Sequence, residues 1–110
     1  MEEVEETLES SIALTISIPQ DVGVPWCETT TECYLPYEVT VVVGATVTWS
    51  NGDIAVHTVT SGNPTSGVDE IFDSSIFMSG ETFEFTFNDA GTFDYFCMVH
   101  PWMAGIVNVG

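Results

Sequence analysis

The 110-residue sequence predicts an all-β protein, a β-sandwich or Greek-key barrel made of short strands. Three observations predict it. Apolar and polar residues alternate with period two over most of the chain after residue 10, turn-forming clusters separate the alternating runs, and no segment keeps a helical period. At this length, with 45% hydrophobic residues, the chain suits one domain around one core.

Residues 1–10, "MEEVEETLES", hold five glutamates. Like charges at i,i+3 and i,i+4 oppose a helix there, so the segment reads as an acidic flexible tail ahead of a single domain over 11–110. "IALTISI" puts Ile12, Leu14, Ile16 and Ile18 on one face of the first strand. "EVTVVV" (Glu38–Val43) and "ATVTWS" (Ala45–Ser50) follow as two runs parted by Gly44. "TFEFTF" aligns Phe83, Phe85 and Phe87, and "GTFDYFC" aligns Phe93, Tyr95 and Cys97. "GIVNV" (Gly105–Val109) closes the chain. Turns are expected at Asn51–Asp53, Ser61–Gly67, Ser79–Gly80 and Asn88–Gly91.

The chain has no Lys or Arg against 17 Asp and Glu. That excludes nucleic acid as a partner, because phosphate contacts need basic side chains, and it disfavours an anionic membrane surface. The field favours cations, metal ions and basic partner proteins. Adaptation to saline or acidic surroundings is the other reading of the same charge. No apolar run is long enough to cross a bilayer, and no signal peptide is visible. Met1 directly ahead of an acidic run would fit a chain cut downstream of an export signal or anchor.

Cys27 and Cys33 bracket the short polar loop "CETTTEC", which reads as a small disulfide-closed loop and implies an oxidising compartment. Two thiols, or a second metal clip, are the competing readings; neither cysteine has a His within twenty residues, which weakens the clip. Cys97 stands apart in "YFCMVHPWMAG", where Cys97, His100 and Met103 recur every third residue. A Cys at a strand end can point inward while the next loop curls back and brings His100 and Met103 round the same point. The chain's other histidine, His57, could complete a plane of one thiolate and two imidazoles with a weak axial thioether, the donor set of type 1 copper. Three other readings compete: a nucleophilic Cys with a His base, without a recognisable orienting Asn or Asp; a zinc site, which rarely recruits Met; and core packing. Pro101 fixes its own φ and pushes His100 toward extended conformations, so that residue is partly preorganised.

The segment "YFCMVHPWMAGIVNV" resembles the C-terminal ligand loop of the cupredoxin, or blue copper, family, and its Cys-x2-His-x2-Met spacing is most similar to the short-loop amicyanin type. Plastocyanin-like and halocyanin-like members are similar with longer loops. "VTWSNGDIAVHTV" (Val47–Val59) resembles the family's first-ligand region, and "GETFEFTFNDAGTFDYFC" (Gly80–Cys97) the two strands ahead of the Cys. The resemblance covers about Glu38 to Gly110; archaeal cupredoxins of marine ammonia oxidisers are similar over most of the chain. It implies a Greek-key sandwich of seven or eight strands with one Cu(I)/Cu(II) ion at one end. His57, Cys97 and His100 would be the equatorial ligands and Met103 the axial one. His100 would show a ring edge to solvent, with Met98, Pro101 and Trp102 as an apolar docking patch, or as ordinary loop packing.

Two departures stand out. Thr58 occupies the position where many members have Asn, so the side-chain bond that pins the Cys loop would be absent or replaced by a hydroxyl. Trp102 precedes Met103 and would either wedge the thioether in place or push it away, opening an axial position. The expected function is a mobile electron carrier outside the cytoplasm, acting between redox partner proteins. The alternative is a mononuclear copper oxidoreductase acting on a small molecule such as nitric oxide through the open axial position; copper delivery or storage is a third.

Overall fold

The alternating sequence becomes seven strands in a computed structural model that describes residues 11–23, 27 and 32–110. The acidic segment 1–10 and most of the Cys27–Cys33 loop lie outside the described residues. The strands are β1 (Ser11–Ile18), β2 (Glu38–Asn51), β3 (Thr60–Asn63), β4 (Gly67–Asp73), β5 (Thr82–Phe87), β6 (Gly91–Phe96) and β7 (Ala104–Val109). No α-helix occurs among the described residues. The hydrogen-bonded order is β1-β2-β7-β6-β3-β4, with β5 also on β2.

β2 organises this arrangement. The two runs expected on either side of Gly44 are one 14-residue strand. Its first part, Glu38–Val41, pairs in parallel with β7, and its second, Ala45–Ser50, pairs antiparallel with β5. The strand therefore passes from one layer of the sandwich to the other, bending near Gly44. That residue has φ +94° with open space around it, so its backbone angle and not crowding calls for glycine. β1 follows β2 in parallel, with a register shift between Ser11 and Ala13.

The layers meet through aromatic rings. Trp49 of β2 is fully buried, with ring centroids 5.9 Å from Phe72 of β4, 5.7 Å from Phe83 of β5 and 5.3 Å from Tyr95 of β6. Burying a large side chain of this kind contributes about 1.5–3 kcal/mol. Val39, Val41, Ala45 and Val47 share its inward face, as the period-two pattern predicts. Ile16 and Ile18 of β1 are also in the core, but Ile12 of the same expected face is 76% exposed.

The segment Ser61–Gly67, expected as a turn, is largely strand. β3 and β4 form a hairpin whose connection shrinks to residues 64–66. The Asn63 side-chain oxygen accepts the Thr65 and Ser66 amides and closes it. Gly105 of β7 lies opposite Tyr95 of β6, and any Cβ there would collide with the Tyr95 ring. At one end of the sandwich the β2–β3 and β6–β7 connections converge, and His57 and Cys97 sit on them.

Candidate metal centre

The β2–β3 connection is held by its own side chains. Asn51, almost fully buried at the end of β2, accepts the Asp53 amide at 2.9 Å and donates to the carbonyls of Ala55 at 3.0 Å and Phe77 at 3.3 Å. His57, read from sequence as part of a strand-like run, belongs to no strand; it makes an isolated antiparallel bridge with Phe77. A short run without a sheet partner cannot extend, and the Asn51 contacts bend the chain before β3 begins.

The β6–β7 connection folds back on itself. The Cys97 amide donates to the Met103 carbonyl at 3.1 Å, and the Met103 amide to the His100 carbonyl at 2.9 Å. These bonds fold the loop back on itself, so that the strand-end Cys97 and the loop residue His100 come together while the Met103 backbone closes the turn. Cys97 Sγ lies 3.8 Å from His57 Nδ1 and 3.7 Å from His100 Nδ1, and the two Nδ1 atoms are 3.3 Å apart. A point equidistant from the three lies about 2.1 Å from each, close to the bond lengths at which imidazole nitrogen and thiolate sulfur hold a metal ion. His57, Cys97 and Met103 are fully buried, while His100 is half-buried. One soft sulfur and two imidazole nitrogens at this spacing fit a borderline transition-metal ion.

Neighbouring groups hold the Cys97 sulfur in place. The Thr58 amide donates to Cys97 Sγ at 3.3 Å. The Thr58 hydroxyl accepts the Met98 amide at 2.9 Å and continues through the Thr60 hydroxyl at 2.9 Å to the Asp73 carboxylate at 3.2 Å. Of the two outcomes expected for Thr58, the structure has a hydroxyl bond to the residue after Cys97. Burial pushes the Cys97 thiol up, but the His57 hydrogen bond and the amides of Thr58, His100 and Val99 outweigh it and hold it below the usual thiol range. Burial also lowers His57, yet Cys97 and Asp53 raise it above the usual imidazole value. His100 is lowered by burial and by the charge of His57.

Trp102 is half-buried. Its indole N–H donates to the Val22 carbonyl at 3.0 Å, and its ring centroid is 5.3 Å from that of His100. Met98 is 52% exposed and Pro101 is exposed beside it. Cys27 and Cys33 are bonded to each other within the core, and Cys33 Sγ lies 3.9 Å from the Trp102 carbonyl. The disulfide therefore sits next to the ligand loop.

Sequence reasoning missed Asp53, which it read only as part of a turn. Its carboxylate accepts His57 Nε2–H at 2.8 Å, with 2% of the carboxylate side chain exposed. Among 17 acidic residues an Asp four positions ahead of a His does not stand out, and only the fold of the turn aims it at the ring.

The family described as copper-binding proteins, plastocyanin/azurin family, matches residues 27–110. The amicyanin of Paracoccus versutus is 41% identical over 76 residues, 69% of this chain and 57% of that protein. Amicyanin-alpha of Methylorubrum extorquens is 38% identical over 74 residues, 66% of this chain and 60% of that protein. The chain thus spans less than two thirds of the length of these curated relatives. Among solved structures, the purple cupredoxin from Nitrosopumilus maritimus superimposes with a TM-score of 0.77 at 33% identity, covering 87% of this chain and 98% of that one. The crystal structure of Paracoccus versutus amicyanin does so with 0.66 at 31% identity, covering 89% and 81%.

Proposed function

The chain belongs to the plastocyanin/azurin family of copper-binding proteins, and from that premise we propose that it is a mobile one-electron carrier acting between redox partners outside the cytoplasm. Its cofactor is a single copper ion, which when bound supplies a reversible one-electron change between Cu(II) and Cu(I). In this reading His57, Cys97, His100 and Met103 are the residues that would hold the metal.

The observation that carries the reading is the buried triangle of one sulfur and two nitrogens. It excludes water from every donor side except that of the half-buried His100. Cys97 would bind the metal as a thiolate, and its neighbours favour the charged form. The Thr58 amide and the Thr58–Thr60–Asp73 chain keep that sulfur and the following loop from moving. Small movement between oxidation states keeps the reorganisation cost of transfer low. His100 offers the exit for the electron, and Met98, Pro101 and Trp102 form the apolar surface on which a partner docks.

The Cys27–Cys33 disulfide supports an oxidising compartment, and a chain without Lys or Arg supports a basic partner. The alternative, an oxidoreductase acting on nitric oxide, needs room for a small molecule beside the thiolate. Full burial of Met103, with its amide and carbonyl both hydrogen-bonded, supports the carrier instead.

Visible and EPR spectra of the copper-loaded chain test the site. A thiolate-to-copper band is expected, and it is lost in Cys97→Ser; a band that survives the substitution overturns the ligand assignment. Stopped-flow mixing of the Cu(II) form with nitric oxide separates the two functions: bleaching with release of nitrite would overturn the carrier.

A further inference from the structure

Asp53 has a place in the site that nothing in the sequence motif assigns. Its carboxylate is an acceptor on all sides: Oδ1 takes the amides of Asp21 at 3.1 Å and Ile54 at 2.8 Å, and Oδ2 takes His57 Nε2–H at 2.8 Å. Both the His57 and Asp53 side chains are essentially buried. The Asp53 amide is itself fixed on Asn51 Oδ1, so the carboxylate cannot swing away without opening the turn.

We propose that Asp53 is a positioning residue for the metal: its buried carboxylate locks the His57 ring with the proton on Nε2 and the Nδ1 lone pair toward Cys97 and His100, and its charge favours the oxidised over the reduced ion. This inference rests on the copper-site reading above. Two steps support it. A neutral imidazole has one proton, and a carboxylate that already accepts two amides can only accept from Nε2, which leaves Nδ1 as the donor atom. The two Nδ1 atoms, 3.3 Å apart, could not both carry protons into the space between them. A fixed negative charge touching a ligand ring then stabilises the more positive metal ion more than the less positive one, and burial leaves that charge poorly screened.

Asparagine at this position removes the charge and, in the orientation that keeps the Asp21 and Ile54 amides satisfied, turns an N–H toward His57 Nε2. Copper affinities and the reduction potential of native and Asp53→Asn protein are the measurement. Cu(II) affinity is expected to fall about tenfold more than Cu(I) affinity, a rise in potential of about 59 mV for one electron. Equal loss of both affinities, with the potential unmoved, would mean a structural role only and overturns the proposal. Should the variant not fold, long-range proton–nitrogen NMR of the native apo protein decides the positioning. A His57 proton on Nε2, protected from exchange, supports it, and a proton on Nδ1 overturns it. A native chain that takes up no copper overturns the proposed function and this inference with it, whereas a copper-binding native chain beside an unshifted variant overturns this inference alone.

Discussion

At the scale of single residues, the site is governed by what touches the donor atoms. Thr58 is the instructive case. Its amide faces the Cys97 sulfur while its hydroxyl takes the Met98 amide, so one residue holds both the ligand and the residue after it. Thr58→Val keeps the shape and the amide but leaves the Met98 N–H without its acceptor. Loss of such a partner costs about 1–3 kcal/mol. Denaturant unfolding of the copper-free variant is expected to show that loss, and a midpoint matching the native protein would mean that Met98 finds another partner. Met103 was the uncertain member of the sequence motif because Trp102 precedes it. The Trp102 indole instead bonds the Val22 carbonyl and lies against His100, and Met103 is fully buried.

At the scale of elements, two connections and one long strand make the site. β2 carries Trp49 in the core and Asn51 at its end, so the strand that builds the sandwich also shapes the turn leading to His57. The ligand loop is closed by the Cys97–Met103 and Met103–His100 backbone bonds. The Cys27–Cys33 crosslink supports it from outside through its contact with Trp102. Replacing both cysteines by serine removes the constraint on a short loop and is expected to cost about 2–4 kcal/mol of stability. Thermal unfolding of the double variant against native protein, without reductant, measures it; an unchanged melting temperature would show that the crosslink carries no stability.

At the scale of the whole molecule, charge and burial set the response to conditions. With 17 acidic residues and no basic ones, the fold works against its own field. Stability is expected to rise as salt increases to about 1 M, where screening is strong. A denaturation midpoint that stays flat over that range would show that repulsion is not limiting. The core also holds phenols. Burial raises Tyr34 well above its ordinary value, with the charges of Cys97 and Tyr95 adding to it, and burial likewise raises Tyr95. A group raised in the folded state contributes stability that is fully present below its unfolded value of about 10. That contribution is lost as pH climbs past it. Tyrosine absorbance followed against pH is therefore expected to show these two rings ionising only as the protein unfolds, above about pH 10.

What the sequence by itself determined is local. The period-two runs placed β1, β5, β6 and β7, because side chains on a pleated strand alternate and only one face can enter the core. The Cys-x2-His-x2-Met spacing pointed to Cys97 and His100, which the structure brings together, because one tight turn brings residues three apart together. Tertiary structure decided the rest. β3 is four residues long and polar, and the apolar residues of β4 do not alternate, so no period-two pattern announces them, and only pairing of β3 with β4 and with β6 makes them strands. His57 stands forty residues from Cys97, and its Nδ1 meets the sulfur only once the layers close. Asp53 shows most clearly where the sequence stops: an acidic residue in an acidic chain becomes the partner of His57 because Asn51 folds the turn and buries the carboxylate. Spacing along the chain reports neighbours within a turn, whereas the contacts that orient a metal ligand cross between elements and exist only after packing.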